Sequence, residues 1–346
     1  MADRLPTKQP RAPFRLLESQ PVFYSQLAAD IGKAEKSVDL AFFVFESDKT
    51  TQPIFREIEE AARRNVHVRI VVDHIGNIHA PFASRREFRR LTKLQKEGLK
   101  IEVKHARQKK DSLNPLRRDH KKIVAIDAGT NQEVGYIGGS NVSGRFLKWR
   151  DYIMRTTGQP VEVLAADFQK TWEGTNNGSS HYVLDAKDGT EMLFDSKKTD
   201  TIIDRVIKEI GNAKERIWME TSYLDSHRVK DALILAKKQN PNLDVRLLIP
   251  DYKTSNDFRF RYFPNHWTRP FINAGIDVRE YTNSKHFTHA KTLLIDDLAL
   301  TGSSNFVDDM VVGGDAEVVL LSKNPQYRRL LQEWFLGGWE HATPYK

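Results

Sequence analysis

Apolar positions along the chain alternate between two periods. Residues 37–45 and 67–73 are near-continuous runs of β-formers, and so are the stretches near 100–104, 121–127 and 133–138. Between them, 22–35, 52–64 and 83–97 place apolar side chains at helical spacing. Phe55, Ile58, Ala61 and Ala62 form one such stripe and are assigned to the core. Alternation of this kind predicts α/β layers, with a largely parallel sheet covered by helices.

The second half of the chain repeats this order. IGKAEKSVDLAFFVF at 31–45 parallels IGNAKERIWMETSYL at 210–224, NVHVRIVVD at 65–73 parallels NLDVRLLIPD at 242–251, and EGLKIEVK at 97–104 parallels AGIDVREY at 274–281. A period of about half the chain means a duplicated domain. The expected division is a flexible arm over 1–15, a first half over 16–178, a linker over 179–190 and a second half over 191–346. The linker is placed by TNNGSSHYVLDAKDGT at 175–190, rich in turn residues. Each half ends in an aromatic helix, 161–174 and 326–339, whose tryptophans are assigned to packing.

The most unusual polar pattern sits where an apolar strand begins. DHKKIVAID at 119–127 sets His120 and Lys122 two apart, so that in a strand they share a face. GYIGGSNVS follows, with Gly138 and Gly139 for close backbone approach and Ser140 and Asn141 as hydrogen-bonding groups. The second half repeats both pieces. HFTHAKTLLID at 286–296 carries His289, Lys291 and Asp296 at the spacing of His120, Lys122 and Asp127, and LALTGSSNF supplies Gly302, Ser303, Ser304 and Asn305.

Composition narrows what such a site would serve. The 346 residues, 39% hydrophobic and 29% charged, describe a soluble globular protein with room for two cores. No apolar run approaches the ~20 residues of a membrane span. The first residues lack a signal-peptide core, so a cytoplasmic location is expected, with peripheral contact to membrane. The absence of cysteine excludes disulfides, thiolate catalysis and cysteine-bound zinc. Lys and Arg outnumber Asp and Glu, 54 to 46, which favours an anionic partner. Much of the excess lies in 106–122, a basic loop emptying into the first motif, and in SRREFRR at 84–90, read as a solvated face.

Two copies of H-x-K-x-x-x-x-D, each followed by a Gly/Ser/Asn turn, resemble the phospholipase D superfamily. VRIVVDHIGN, NPLRRDHKKIVAID, GGSNVSGRFLKWRDY and FTHAKTLLIDD resemble its cardiolipin synthase group most. The resemblance implies two pseudo-twofold-related mixed β-sheets flanked by helices, with one active site at their interface. It implies that His120, Lys122 and Asn141 join His289, Lys291 and Asn305, that one histidine forms a phosphohistidine and that the other protonates the leaving oxygen. His120 is assigned as nucleophile and His289 as acid. Asp151 and Glu317 match the acids that orient the histidines, whereas Asp127 and Asp296 match motif aspartates of structural character, with Ser140 and Ser304 in support.

Two departures stand out: Asp151 is shorter than the glutamate of many relatives, and Asp315 replaces a common asparagine, adding negative charge near the site. A third departure is expected, since the apolar pattern predicts no membrane helix like the amino-terminal ones of many cardiolipin synthases. No cofactor or metal is implied. An anionic phospholipid or membrane surface is the expected partner, nucleic acid is the second reading, and a catalytically idle phosphate-binding module is the third. The insertion 256–271, with Phe258, Phe260, Tyr262, Phe263, Trp267 and Phe271 among Arg259, Arg261 and Arg269, is expected to rim the site.

Overall fold

The computed structural model of the protein describes residues 14–78, 80–106, 118–176, 178–196, 199–251, 264–282, 287–307 and 315–345. The first half builds one sheet from β1 (Arg15–Leu17), β2 (Ser37–Phe42), β3 (His67–Asp73), β4 (Ile101–Ala106), β5 (Ile123–Ile126), β6 (Val134–Gly138) and β7 (Ile153–Thr156). Their order is β1-β7-β6-β5-β2-β3-β4. The second half builds another from β8 (Ser180–Asp185), β9 (Thr190–Asp195), β10 (Arg216–Glu220), β11 (Asp244–Pro250), β12 (Asp277–Tyr281), β13 (Thr292–Ile295), β14 (Leu298–Gly302), β15 (Glu317–Ser322) and β16 (Ala342–Pro344). Read from its β8 end, the second sheet repeats the first, strand for strand, from β9 to β12.

Both sheets are mixed rather than largely parallel. β2, β3 and β4 run parallel, but β5 pairs antiparallel with β2, and β6 and β7 continue the antiparallel run. The physical reason lies in the connections: a short connection such as the seven residues 127–133 admits only an antiparallel neighbour, whereas helical crossovers precede β3 and β4. The stretch expected as a linker also contains structure, since β8 pairs with β9 and only 186–189 turns. In the segment expected as an arm, residues 1–13 lie outside the described residues, but Phe14 is buried against Tyr327 and Arg15 opens β1.

Among the described residues α1 (Gln20–Gly32), α2 (Gln52–Arg63) and α3 (Phe82–Lys96) cover the outer face of the first sheet, and α5 (Thr201–Asn212), α6 (His227–Gln239) and α7 (Pro264–Asn273) cover that of the second. α4 (Gln159–Glu173) and α8 (Pro325–Glu340) lie within a core shared by the two halves. Phe55, Ile58, Ala61 and Ala62 are buried as the stripe requires, and Trp334 and Trp339 pack in the shared core. Sheet faces buried on both sides explain the continuous apolar runs of the central strands.

Of the aromatic insertion, Phe258, Arg259, Phe260, Arg261, Tyr262 and Phe263 lie outside the described residues, as does the side chain of Trp267. Phe271 does not rim a site: it is buried in the core beneath α7. No helix among the described residues is long and apolar enough to cross a membrane.

Candidate active site

Each histidine motif is anchored at its far end by its aspartate. Asp127 and Asp296 both adopt φ of 50°, turning the chain out of β5 and β13. Asp127 accepts the backbone N–H groups of Glu35, Lys36 and Ser37 at 2.7–2.9 Å. Asp296 accepts those of Lys214, Glu215 and Arg216 at 2.8–3.0 Å. Both therefore clamp the start of the neighbouring antiparallel strand, β2 or β10, and stand far from the histidines at the other strand end.

The near ends meet across the halves. Backbone N–H of His120 donates to Ala316 O at 3.0 Å and that of Ala316 to Arg118 O at 2.9 Å. In the second half, His289 N–H donates to Arg150 O at 2.8 Å and Arg150 N–H to Phe287 O at 2.9 Å. These short parallel bridges place an acid from one half beside the histidine of the other. His120 Nδ1 is 2.9 Å from Glu317 Oε1, and His289 Nδ1 is 2.7 Å from Asp151 Oδ2. The shorter aspartate thus reaches its histidine fully, because the bridge brings its backbone close. A carboxylate on Nδ1 fixes the Nδ1–H tautomer and leaves the imidazole lone pair on Nε2.

Each acid is held in turn. Asp151 Oδ1 accepts Tyr152 N–H at 2.9 Å, and Ser303 Oγ donates to Glu317 Oε2. The pseudo-equivalent of Ser303 is Gly139, where a Cβ would come within 3.1 Å of both Asp151 Oδ1 and Lys291 Cδ. Ser140 Oγ accepts a long bond from Gln20 Nε2 at 3.4 Å, which ties its loop to the start of α1, and Ser304 Oγ accepts Phe306 N–H at 3.2 Å and so shapes its own turn.

The lysines curl beneath their own histidines. Lys122 Nζ donates to His120 O, and Lys291 Nζ to His289 O, each at 2.6 Å. Lys291 Nζ is nearly equidistant from Nδ1 and Nε2 of His289, 3.3 and 3.2 Å, so it lies beside the ring and not on a lone pair. Asn141 Oδ1 accepts Val44 N–H at 2.9 Å, and Asn305 Oδ1 accepts the Ser222 hydroxyl at 3.0 Å. With both carbonyls committed, the amide NH2 groups remain as donors.

Burial governs the protonation of this cluster. It pushes the His120 imidazole well below its ordinary range, with the charges of Lys122, Arg118 and Lys291 acting in the same direction. Burial and Lys291 push His289 down to about 4 against the opposing pull of Asp151. Lys122 falls to about 7 and Lys291 to about 8, both chiefly by burial. Glu317 is pushed up to about 7 by burial, with Lys122 opposing. Two buried lysines whose charged forms are disfavoured chiefly by burial would be favoured in those forms by an anionic ligand beside them.

Several contributors escape notice in the sequence. Phe43 stands edge-on to His120 with ring centroids 5.0 Å apart, and Trp149 lies 4.9 Å from His289. Asp315 does not add free negative charge: its carboxylate takes Arg118 Nη2 at 2.7 Å and also Arg118 N–H at 3.1 Å. Asp73 accepts Asp119 N–H at 2.8 Å, fixing the approach to His120. Lys121, between the two motif residues, points away from the site to Asp167 at 2.5 Å in full burial. A polar residue facing an apolar neighbour run, with an aspartate in the last helix of the half, is the signal that pairs them.

A family profile described as "Cardiolipin synthase, PLD-like domain" matches residues 27–172 and again 206–339. The chain belongs to this family. The major cardiolipin synthase ClsA of Bacillus subtilis (strain 168) is 27% identical over 311 residues, covering 82% of this chain and 60% of the relative. A cardiolipin synthase of Listeria monocytogenes serotype 4b is 29% identical over 313 residues with the same coverage. The chain thus spans about 60% of the length of these curated relatives. Among solved structures, phosphatidylserine synthase of Haemophilus influenzae Rd KW20 superposes with a TM-score of 0.68 at 14% identity, over 96% of this chain and 87% of that one. Polyphosphate kinase from Porphyromonas gingivalis gives 0.61 at 12% identity, over 93% of this chain and 49% of that one. At these identities the likeness is one of fold, and it is the duplicated phospholipase D fold.

Proposed function

We propose that the protein is a phosphatidyltransferase of cardiolipin synthase type, working on an anionic phospholipid through a phosphohistidine. The observation that carries the chemistry is the pair of crossed couples, His120–Glu317 and His289–Asp151, each with a buried lysine beside it. Family membership supports the lipid as substrate class.

In this reading His120 Nε2 attacks phosphorus as the phosphorus–oxygen bond to the headgroup alcohol breaks. His289, protonated in the presence of the anionic substrate, gives its Nε2 proton to the departing alcohol. Lys122, Lys291 and the amides of Asn141 and Asn305 hold the non-bridging oxygens. Their positions are preorganised by the backbone and hydroxyl bonds described above, so little reorganisation opposes charge development. In the second step His289, now neutral, takes the proton of an incoming alcohol whose oxygen displaces His120 from phosphorus. Water in that position gives phosphatidic acid instead. Glu317 and Asp151 keep each imidazole in its Nδ1–H form and stabilise the positive ring when it arises.

The test is to incubate the protein with phosphatidylglycerol vesicles and, separately, with single- and double-stranded DNA. Release of glycerol with formation of cardiolipin is expected. Cleavage of DNA with no lipid product would overturn the lipid assignment and leave the site chemistry intact.

A further inference from the structure

Among the described residues the most exposed large apolar side chain stands at the amino end of α3 in an arginine-rich setting. Phe82, the first residue of α3, is 72% exposed, and Ile78, just before it, is 49% exposed. Among the described residues Val22 on α1 and Leu235 on α6 are the other large apolar side chains left exposed, and each stands alone, whereas Ile78 and Phe82 come as a pair. Phe82 shares a helix face with Arg85, Arg86 and Arg89, at spacings of three, four and seven residues, all exposed. The opposite face, with Phe88, Leu91 and Leu94, is buried. Arg85 Nη2 donates to Ile78 O at 3.0 Å and so holds Ile78 against the helix.

The patch is tied to the site by a short path. Ring contact joins His120 to Phe43, whose carbonyl accepts Asn77 Nδ2 at 2.8 Å, one residue before Ile78. Asp73, at the end of β3, bonds both Asp119 N–H and Gly76 N–H at 2.8 Å. The loop from β3 to α3 therefore leads from the site mouth, at the carboxyl ends of the parallel strands, to the exposed pair.

Charge selects the occupant. Arg86 and Arg89 have no acidic partner among the described residues, and Lys49 and Arg56 join Arg86 along one open groove between α2 and α3. The nearby acids are already used: Glu87 pairs with Arg90, and Asp48 takes Gly144 N–H. An apolar tip framed by unpaired basic side chains suits the headgroup boundary of an anionic bilayer.

We infer that Ile78, Phe82 and the Arg86–Arg89 face of α3 form the surface by which the protein docks on anionic membrane, with the active-site mouth turned to the lipid. This rests on the phosphatidyltransfer reading and adds how the substrate surface is met. It assigns SRREFRR to contact with lipid instead of to a merely solvated face.

The test compares the parent protein with Ile78→Ser/Phe82→Ser and with Arg86→Gln/Arg89→Gln. Sedimentation uses vesicles of phosphatidylglycerol with phosphatidylcholine, and of phosphatidylcholine alone. Turnover is read on those anionic vesicles and on short-chain phosphatidylglycerol below its micelle concentration. Loss of two inserted apolar side chains should weaken vesicle binding at least about 10-fold. Each lost arginine should weaken it about fivefold, on anionic vesicles only. Turnover on vesicles should fall with binding, while turnover of the monomeric lipid stays unchanged. The surface is refuted if the parent does not bind anionic vesicles, if the variants bind as tightly as the parent, or if the arginine pair lowers affinity for a DNA duplex and leaves vesicle binding intact. Patch-dependent binding without turnover of either lipid would sustain the docking surface and overturn the phosphatidyltransfer reading instead.

Discussion

Asp151→Asn separates the two histidines' duties with almost no change in shape. Asp151 Oδ1 accepts Tyr152 N–H at 2.9 Å and Oδ2 accepts His289 Nδ1–H at 2.7 Å. An amide has only one oxygen. If it keeps the bond from Tyr152, its NH2 faces His289 and forces the imidazole into the Nε2–H tautomer, with its lone pair aimed at Asn instead of at substrate. If it turns to keep the bond from His289, two N–H groups oppose each other in a buried place, at a cost of about 1–3 kcal/mol. Both outcomes also remove the carboxylate that stabilises the imidazolium. Loss of an acid–base group costs about 10²–10⁴-fold, or roughly 3–5 kcal/mol of barrier. With glycerol as leaving group, the variant should lose turnover within that range. A phospholipid carrying p-nitrophenol as headgroup needs no acid, so a burst of nitrophenol equal to the enzyme present should survive with a rate within about 10-fold of the parent, followed by slow turnover because the second step still needs a base. Equal losses in the burst and on phosphatidylglycerol would refute the assignment of His289 as acid.

Further outcomes follow from the same geometry. His120→Ala should abolish the nitrophenol burst as well as turnover, and phosphoenzyme trapped from parent protein should carry its label on His120; label on His289 would reverse the roles. The free-enzyme profile, kcat/KM against pH, should already decline above about 4, where the acid His289 loses its proton, and fall more steeply above about 7, where Lys122 loses its proton and its hold on phosphate; a flat profile to pH 9 would refute this. Turnover should persist in excess chelator, since lysines and amides supply the charge stabilisation; complete loss restored by magnesium or zinc would refute that. Gly338→Ala should destabilise the fold by about 1–3 kcal/mol, since its Cβ would intrude on the guanidinium of Arg150; the readout is a lowered Tm, and an unchanged Tm would refute the packing argument.

The residues that touch phosphate in this reading were legible because they repeat. His120, Lys122 and Asn141 recur as His289, Lys291 and Asn305 at matching places, and strand alternation alone puts each His–Lys pair on one face. The helices were legible from their apolar stripes to within a few residues. Strand direction was not, because the alternation of helix and strand early in each half hides the antiparallel turns that follow β5 and β13. Nor does anything local reveal that Glu317 serves His120 across 197 positions, or Asp151 His289 across 138. Lys121 shows the converse hazard: it sits inside the motif, yet its partner is Asp167 beneath the sheet. Asp315 read as excess charge because Arg118, its partner, is remote in sequence and adjacent only once the halves meet.

The crossed couples make the two halves hostages to one another. A first half on its own would hold His120 without its carboxylate and Asp151 as a stranded buried acid, and the second half would mirror the defect with His289 and Glu317. Neither duplicate can specialise, drift or be lost without disabling the chemistry assigned to its twin, so the duplication is locked in by its own product. Heat or denaturant that parts the interface, even with both sheets intact, should silence both histidines together.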